Sequence, residues 1–277
     1  MERPVSFDTM AEVPTKEEQT DTPTTRWAQL KEVTRDVRRG FVGEWTVTII
    51  LLLFATTTLV QAFVIPSASM ENTLLIGDHV LVDKLVFSPY GSMSSKLLPY
   101  RDVRRGDIIV FRFPLNIKED YVKRAIGVPG DHIRLMNKQL MLNGHLVTEP
   151  YVVHRTPYLN PYRDNFPANA AEENLPPSAL DMLRNHVENG EIVVPPGFVF
   201  AMGDNRDDSL DSRYWGFVPR ENIVGTPLII YWSFEAPTAD LTNPNIGLDH
   251  IMDVVTHFFT KTRWSRTFRL TRGYPLQ

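Results

Sequence analysis

The longest apolar run of the chain extends from Trp45 to Val64 and contains no charged side chain. A helix of this length rises about 30 Å, the hydrocarbon thickness of a bilayer. Five basic residues lie between positions 26 and 44, whereas residues 65–84 contain only Lys84. This pattern predicts a transmembrane helix over 45–64, with the N-terminus in the cytoplasm and the rest of the chain outside.

A buried core helix and a cleaved signal peptide are alternative interpretations of the same run. Its apolar and β-branched residues lie all round the helix, which is atypical of a helix with one buried face. Small residues at Ser67-Ala68-Ser69 are spaced like a cleavage site, but 44 residues precede the run. The run also exceeds the length of about 7–15 residues usual for a signal peptide. The sequence therefore favours an uncleaved anchor.

After this run, the polar and apolar positions alternate with the period of β-strands. The predicted strands lie at His79–Phe87, Asp107–Phe113, Tyr121–Val128 and Phe198–Met202, with a hairpin over His132–Val147 that ends near Asn143-Gly144. Residues 149–197 differ, because they contain eight prolines and one helical stretch near 178–187. We expect a mostly β fold of antiparallel sheets with an irregular insertion lobe.

The C-terminal region predicts an amphipathic helix followed by a basic tail. Its apolar residues at helical spacing are Leu248, Ile251, Met252, Val255, Phe258 and Phe259, and its basic residues are Lys261, Arg263, Arg266, Arg269 and Arg272. Such a segment can lie on anionic lipid. It can equally be a helix packed on the β-domain with a solvated basic end, and the sequence leaves both interpretations open.

Composition excludes several classes of chemistry. The 277 residues include no cysteine, so disulfides, thiolate metal ligands and cysteine nucleophiles are absent. A net charge of −4 gives no sign of a nucleic-acid partner. Neither a metal nor a nucleotide motif is visible, and we expect no cofactor.

The candidate chemistry lies in three segments that occur in order. They are P-S-A-S-M-E-N-T-L-L-I-G-D (66–78), R-G-D-I-I-V-F (105–111) with Y-V-K-R-A-I-G-V-P-G-D (121–131), and M-G-D-N-R-D-D-S-L-D-S-R-Y-W-G-F-V-P (202–219). With these segments the chain resembles the bacterial type I signal peptidases, from the apolar run through residue 235. The serine motif alone would be weak evidence, whereas all three segments in family order are specific.

The resemblance implies a Ser/Lys dyad in which Ser69 is the nucleophile and Lys123 the general base. It implies that Ser67, with the backbone N–H of Ser69, forms the oxyanion hole. It also implies a set of supporting residues around the dyad: Ser209, Gly203, Asp204, Arg206, Asp211, Arg213 and Arg124. Ser209 matches the serine that orients the lysine, and Arg124 is the expected partner of Asp204. The family usually has proline where this chain has Asn72, which we expect to loosen the loop.

A lysine that acts as a general base must have a neutral amine, so the fold must lower its pKa. With an ordinary pKa of about 10.4, a lysine is neutral only about 0.04% of the time at pH 7. Burial against apolar neighbours lowers that pKa, because it disfavours the charged form. The sequence therefore predicts that Lys123 is buried, with Tyr121, Val122, Ala125 and Ile126 as candidate apolar neighbours.

The resemblance implies a membrane-bound serine endopeptidase that removes N-terminal signal peptides from exported preproteins. It would cut after small residues, at sites of the Ala-x-Ala type, on the outer face of the bacterial cytoplasmic membrane. The expected partners are preproteins and the lipid bilayer. Alternatives are a processing peptidase of an organelle inner membrane and an inactive membrane-anchored binding or assembly protein on the same scaffold. A self-cleaving Ser/Lys repressor is disfavoured, because no DNA-binding segment is visible at the N-terminus.

These patterns predict six segments along the chain. They are a disordered acidic tail with a basic juxtamembrane segment (1–44), a transmembrane helix (45–64), a catalytic β-domain in two parts (65–148 and 198–235), an insertion lobe (149–197) and a C-terminal amphipathic, basic segment (236–277).

Overall fold

The computed structural model describes residues 26–87, 100–170, 173–242, 248–271 and 273–276. The chain divides into two units, Met1–Leu52 and Leu53–Gln277. In the first unit the described residues belong to helix α1 (Arg26–Phe54). The disordered tail predicted for residues 1–25 lies outside the described residues.

The predicted transmembrane helix is not confirmed. Among the described residues, no helix combines the length and the apolar character that a bilayer crossing requires. The last five residues of the predicted span differ outright, because Val60–Val64 form a strand that pairs with Asp78–Asp83. Between helix and strand, Ala55–Leu59 make one π-helical turn. The continuous apolar run predicted one helix, but an apolar run does not distinguish helix from strand, and the β-branched residues here favour the strand.

The second unit contains all the described strands. They are β1 (Val60–Val64), β2 (Asp78–Asp83), β3 (Ile108–Phe113), β4 (Asn116–Gly127), β5 (His132–Met136), β6 (Gln139–Leu142), β7 (His145–Leu146), β8 (Val187–Glu188), β9 (Glu191–Val193), β10 (Phe198–Met202), β11 (Val218–Pro219), β12 (Ile223–Ser233) and β13 (Arg269–Leu270). Four helices accompany them: α2 (Pro177–Asn185), α3 (Ser212–Trp215), α4 (Thr238–Thr242) and α5 (Leu248–Lys261).

The strands form two sheets whose pairs are all antiparallel. The first sheet has the order β1-β2-β12-β3-β4-β10-β11, with β13 paired to β12 at the side. The second has the order β7-β6-β5-β9-β8. This arrangement confirms the expected mostly β fold of antiparallel sheets. In β2 the side chains of Asp78, Val80 and Val82 are buried and those of the residues between them half-buried, as the alternating sequence predicts.

The predicted hairpin over His132–Val147 was incomplete, because this region contains three strands and two tight turns. The second turn, at Asn143-Gly144, was expected from the sequence. The first lies at Asn137-Lys138, where both residues have positive φ angles of 50° and 72°. Two-residue hairpin turns favour this conformation, but lysine is not a usual residue there, so the pattern concealed the turn.

The predicted insertion lobe is not a separate layer of the structure. Its strands β8 and β9 belong to the same sheet as β5–β7, through the pairing of β9 with β5. One apolar cluster also joins the two parts, with Ile133, Phe166 and Ile192 all buried. The boundary predicted at residue 149 therefore runs through a sheet. Proline content marks irregular chain, but it does not show with which strands that chain pairs.

The segment after α5 packs against the first sheet. Strand β13 pairs with β12, and the backbone N–H of Tyr274 donates to the carbonyl of Gly106 at 3.0 Å. Leu276 lies in the large apolar cluster and is buried. The described part of this segment is therefore attached to the β-domain, and its contact with lipid stays a prediction.

Candidate active site

The candidate nucleophile lies in a short turn that the hydrophobic core holds from both sides. Ser69 is the middle residue of a 3-10 turn over Ala68–Met70, and its side chain is largely buried. Met70 and Leu74 insert into an apolar cluster that also contains Ile65 and Ile230. Because the buried residues flank Ser69 closely along the chain, the core fixes the turn that carries it.

Lys123 reaches Ser69 from the neighbouring strand β4. Its Nζ donates to Ser69 Oγ at 2.6 Å, and its side chain is buried. Adjacent strand residues face opposite sides of a sheet, so Lys123 and Arg124 project in different directions. Lys123 meets the serine, while Arg124 meets the loop that follows β10.

Burial is the main influence on the pKa of Lys123, which it lowers to about 8. The carboxylates of Asp211 and Asp204 oppose this shift, while the positive charge of Arg213 adds to it. The ring of Tyr121 lies 5.6 Å from Nζ and belongs to the predicted apolar surroundings. At a pKa of 8 about 9% of the amine is neutral at pH 7, roughly 200 times more than in an exposed lysine.

Ser67 lies beside the nucleophile. Its Oγ is 3.3 Å from Ser69 Oγ, and its backbone is extended as the chain enters the turn. A hydroxyl at this distance from the nucleophile can donate to an oxygen that develops negative charge after attack. Ser67 therefore lies within reach of a group bonded to Ser69 Oγ, and its role as the oxyanion donor stays a prediction.

The loop after β10 passes directly against the nucleophile turn. A Cβ built on Gly203 would lie 2.4 Å from the carbonyl oxygen of Ser69 and 2.3 Å from Ser209 Oγ, so the position admits glycine alone. The backbone N–H of Asn205 donates to the same Ser69 carbonyl at 3.1 Å. Ser209 is buried at this contact, but its Oγ makes no hydrogen bond to the Lys123 amine. Its predicted role in orienting the lysine stays a prediction.

Arg124 and Asp204 form a buried bidentate ion pair. The guanidinium donates from Nε and Nη2 to the two carboxylate oxygens at 2.8 and 2.6 Å. Thr73 adds a third donor to this carboxylate at 2.5 Å. The guanidinium also covers the Tyr151 ring at 3.8 Å. The expected pairing is therefore present, and it links β4, the nucleophile loop and the loop after β10.

The remaining predicted charges are divided between two further pairs. Arg213 contacts both oxygens of Asp211 at 2.8 and 2.7 Å, and Asp211 also accepts from the Gly203 N–H at 3.1 Å. Arg206 pairs with Glu149 at 2.8 and 2.5 Å. Every one of these side chains is buried in the structure. The ten predicted residues thus form one connected region around Ser69 and Lys123.

Sequence reasoning missed three residues that complete this region. Thr73 lies within the serine segment and Asn205 within the third segment, so their positions were visible although their contacts were not. Glu149 stands next to Pro150 at the start of the predicted lobe, with no motif around it. Only the folded chain shows that this acid neutralises Arg206.

The backbone conformation of Asn72 explains why this position does not hold the proline that is usual in the family. Its φ angle is +77°, in the left-handed region that asparagine tolerates and that the proline ring cannot reach. The expectation of a looser loop was incomplete, because the turn around Asn72 is closed by hydrogen bonds from the N–H groups of Thr73 and Leu74 to the Met70 carbonyl at 3.1 and 2.8 Å. In this chain the loop has a backbone shape that excludes the family's usual residue.

Replacing Asn72 with proline is expected to lower the free energy of unfolding by about 1–3 kcal/mol, because the loop must abandon its left-handed conformation. The reactivity of the Ser69 hydroxyl should fall as well, since Ser69 is three residues away. Asn72→Gly is the matched control and should stay close to wild type in both measurements. Denaturant unfolding and an activity assay test this. An Asn72→Pro variant as stable and active as wild type would show that the loop readily adopts another shape.

The geometry defines a class of chemistry. A serine hydroxyl in contact with a buried amine of lowered pKa, beside a second hydroxyl, can perform acyl transfer on a carbonyl carbon. This is the arrangement of a serine hydrolase that uses lysine in place of histidine.

Comparison with known proteins identifies the family. The profile of the family described as "Signal peptidase, peptidase S26" matches residues 38–232. The signal peptidase I of Aquifex aeolicus is 35% identical over 248 residues, covering 77% of this chain and 93% of its own. That of Pseudomonas aeruginosa is 36% identical over 218 residues, covering 72% and 75%. The chain belongs to the S26 signal peptidase family. The protein is thus a serine endopeptidase, a hydrolase whose substrates are preproteins with signal peptides.

Proposed function

We propose that this enzyme removes signal peptides with Ser69 as the nucleophile and Lys123 as the general base. The observation that carries the proposal is the 2.6 Å contact between Lys123 Nζ and Ser69 Oγ in a buried site. A contact of this length allows direct proton transfer once the amine is neutral. The lowered pKa of Lys123 supplies a useful neutral fraction near neutral pH.

The reaction then proceeds in two halves. The neutral amine of Lys123 takes the proton of Ser69 Oγ as that oxygen attacks the scissile carbonyl carbon, and Ser67 donates to the oxyanion. The ammonium returns the proton to the leaving amine, so the C–N bond breaks and an ester to Ser69 remains. Water, deprotonated by the same lysine, hydrolyses the ester and restores both groups.

The surrounding charges hold this pair in place. Asp204 and Arg124 tie β4 to the nucleophile loop, while Asp211 and Arg213 hold the backbone of Gly203 near Ser69. Because the charges of each pair compensate one another, they give rigidity without leaving a net charge beside Lys123. In this assignment Arg206 and Ser209 position the loop and do not touch the substrate.

We further propose that the enzyme works on the outer face of the bacterial cytoplasmic membrane. It cuts the bond after position −1 of substrates that have small residues at positions −1 and −3. The uncharged residues 45–54 of helix α1 and the five basic residues before them support an N-terminal anchor with a cytoplasmic N-terminus. An anchor in the same chain would keep the nucleophile close to substrates held by their own apolar segments. Such confinement lowers the entropic cost of encounter.

An inactive scaffold protein is not favoured. A chain that had lost its activity would have no reason to retain a lysine that is buried against the nucleophile, because an unpaired buried charge is costly. Lys123 is 4% exposed, and its amine contacts Ser69.

Cleavage of a preprotein with an Ala-x-Ala site tests the proposal. The full chain in detergent or lipid is expected to cut after the residue at −1, and Ser69→Ala is expected to leave no measurable activity while remaining folded. Ser178→Ala is the matched control, because Ser178 Oγ donates to the Trp215 carbonyl at 2.8 Å and bonds none of the ten predicted site residues. An inert wild type, or activity in Ser69→Ala, would refute the assignment.

The rate of cleavage should depend on pH in a manner set by Lys123. Only the neutral amine accepts a proton, so kcat/KM is expected to rise with pH along an acid limb whose midpoint lies near 8. A pH–rate profile from 5 to 10, with unfolding monitored in parallel, measures this midpoint. A midpoint of about 6.5 would instead point to a histidine as the base.

A further inference from the structure

Two arginines of the C-terminal segment contact the stretch of chain that follows the nucleophile. Arg266 Nη2 donates to the carbonyl of Thr73 at 3.0 Å. Arg263 Nη2 donates to the carbonyls of Ile76 and Phe234, the second at 3.1 Å. Both arginines lie beyond residue 232, where the family match ends. The loop that follows Ser69 is therefore held by a segment that lies beyond the matched residues.

Arg266 also neutralises a buried acid. It donates from Nη2 and Nε to the two oxygens of Asp78 at 2.6 and 3.2 Å. Asp78 is fully buried, and among the described residues Arg266 is the one cation paired with it. Asp78 accepts two further hydrogen bonds, from the Leu75 N–H at 2.8 Å and from Ser233 Oγ at 2.6 Å. The Arg266–Asp78 pair thus closes the end of the loop opposite to Ser69.

Thr73 connects this pair to the reacting groups. Its carbonyl accepts from Arg266, its N–H donates to the Met70 carbonyl at 3.1 Å, and its Oγ1 donates to Asp204. Met70 follows Ser69 directly, and Asp204 pairs with Arg124, the neighbour of Lys123. A shift of Thr73 would therefore move both halves of the dyad relative to one another.

We propose that Arg266 is a positioning residue for the cleavage reaction, acting through Thr73 to set the placement of Ser69 against Lys123. This inference rests on the proposed function, since it presupposes that Ser69 and Lys123 carry the chemistry. The C-terminal segment is then part of the active-site framework. Its removal would impair catalysis even where the β-sheets remain folded.

The contacts around Asp78 offer a matched pair of variants. Arg266→Ala removes the contacts to both Asp78 and Thr73, whereas Ser233→Ala removes one hydrogen bond to Asp78 and leaves Thr73 untouched. Arg266→Lys keeps the positive charge but loses the bidentate geometry. A role confined to stability predicts losses of activity that follow the loss of thermal stability in all three. A positioning role predicts a loss of kcat specific to Arg266.

The experiment measures kcat, KM and the unfolding midpoint of the full chain, with a preprotein substrate and at a temperature well below every midpoint. Arg266→Ala is expected to lose about 10- to 100-fold in kcat with KM changed less than about threefold, because small misplacements of reacting groups slow the chemical step. Arg266→Lys should recover part of that loss. Ser233→Ala and the charge control Lys261→Ala, which breaks the pair of Lys261 with Asp253, should keep kcat within about twofold of wild type.

The outcomes separate this inference from the proposed function. If wild type cleaves and Arg266→Ala keeps its kcat, the positioning role is refuted and the dyad assignment stands. Equal losses in Arg266→Ala and Ser233→Ala would reduce the role of Arg266 to stability and would also refute the inference. If wild type itself is inert, the proposed function is refuted, and the positioning role that rests on it is refuted as well.

Discussion

Lys123→Met is expected to abolish cleavage while leaving the protein folded and more stable at pH 7. Methionine has a similar length and no charge, so it occupies the same buried space without a proton acceptor. Activity should fall by at least about 10³-fold, since both acylation and deacylation depend on the amine. The free energy of unfolding should rise by roughly 1–3 kcal/mol, because burial of the ammonium, which lowers its pKa to about 8, no longer opposes folding.

Opposite signs of the two effects make this test specific. A variant that is inactive because it is misfolded would lose stability as well, whereas the loss of a buried base raises it. Lys118→Met is the matched control, since Lys118 lies exposed on the same strand β4 and should change neither quantity appreciably. Residual activity of Lys123→Met near that of Lys118→Met would exclude Lys123 as the base. Preprotein cleavage and thermal unfolding at pH 7 provide both measurements.

Gly203→Ala is expected to lose about 10²-fold or more in kcat/KM, because the nucleophile turn must shift to admit the new methyl group. The added methyl would lie 2.4 Å from the Ser69 carbonyl oxygen and 2.6 Å from Ser209 Cβ. The backbone of the nucleophile turn must move to admit it, and overpacking of this kind also costs about 1–3 kcal/mol of stability. Steady-state kinetics and denaturant unfolding of the variant measure both quantities.

A double variant shows which contact matters. Gly203→Ala combined with Ser209→Gly removes the side chain that the new methyl meets, but leaves the Ser69 carbonyl in its way. We expect the double variant to stay impaired, because the clash that displaces the nucleophile is with its own backbone. Recovery of wild-type kcat/KM in the double variant would instead assign the effect to Ser209.

Much of the fold was predictable because its strands alternate in polarity. Strand β10 has the predicted bounds, Phe198–Met202, and β3 lies within its predicted range. The turn at Asn137-Lys138 was not predictable, because its second residue carries no turn signal. The strand at Val60–Val64 was hidden within a run that is apolar on every side. Its pairing with the next strand, β2, is not encoded in the run itself.

The residues of the candidate site also divide into those that the sequence predicted and those that it did not. Ser69, Lys123, Asp204 and Arg124 lie in segments whose order and spacing are specific, so their proximity was expected. Glu149 and Arg266 lie outside every such segment, and their contacts arise only from the fold. A single acid or arginine has no periodicity, and its partner cannot be inferred from the residues beside it.

The position of β12 in the first sheet delays completion of that sheet during synthesis of the chain. This strand lies between β2 and β3, although more than a hundred residues separate it from both along the chain. Strands β2 and β3 therefore have no pairing partner on their facing edges until residue 233 has been made, and contacts this distant in sequence form slowly. The nascent chain carries Ser69 and Lys123 early, but it can assemble a working protease only after nearly all of its length has emerged.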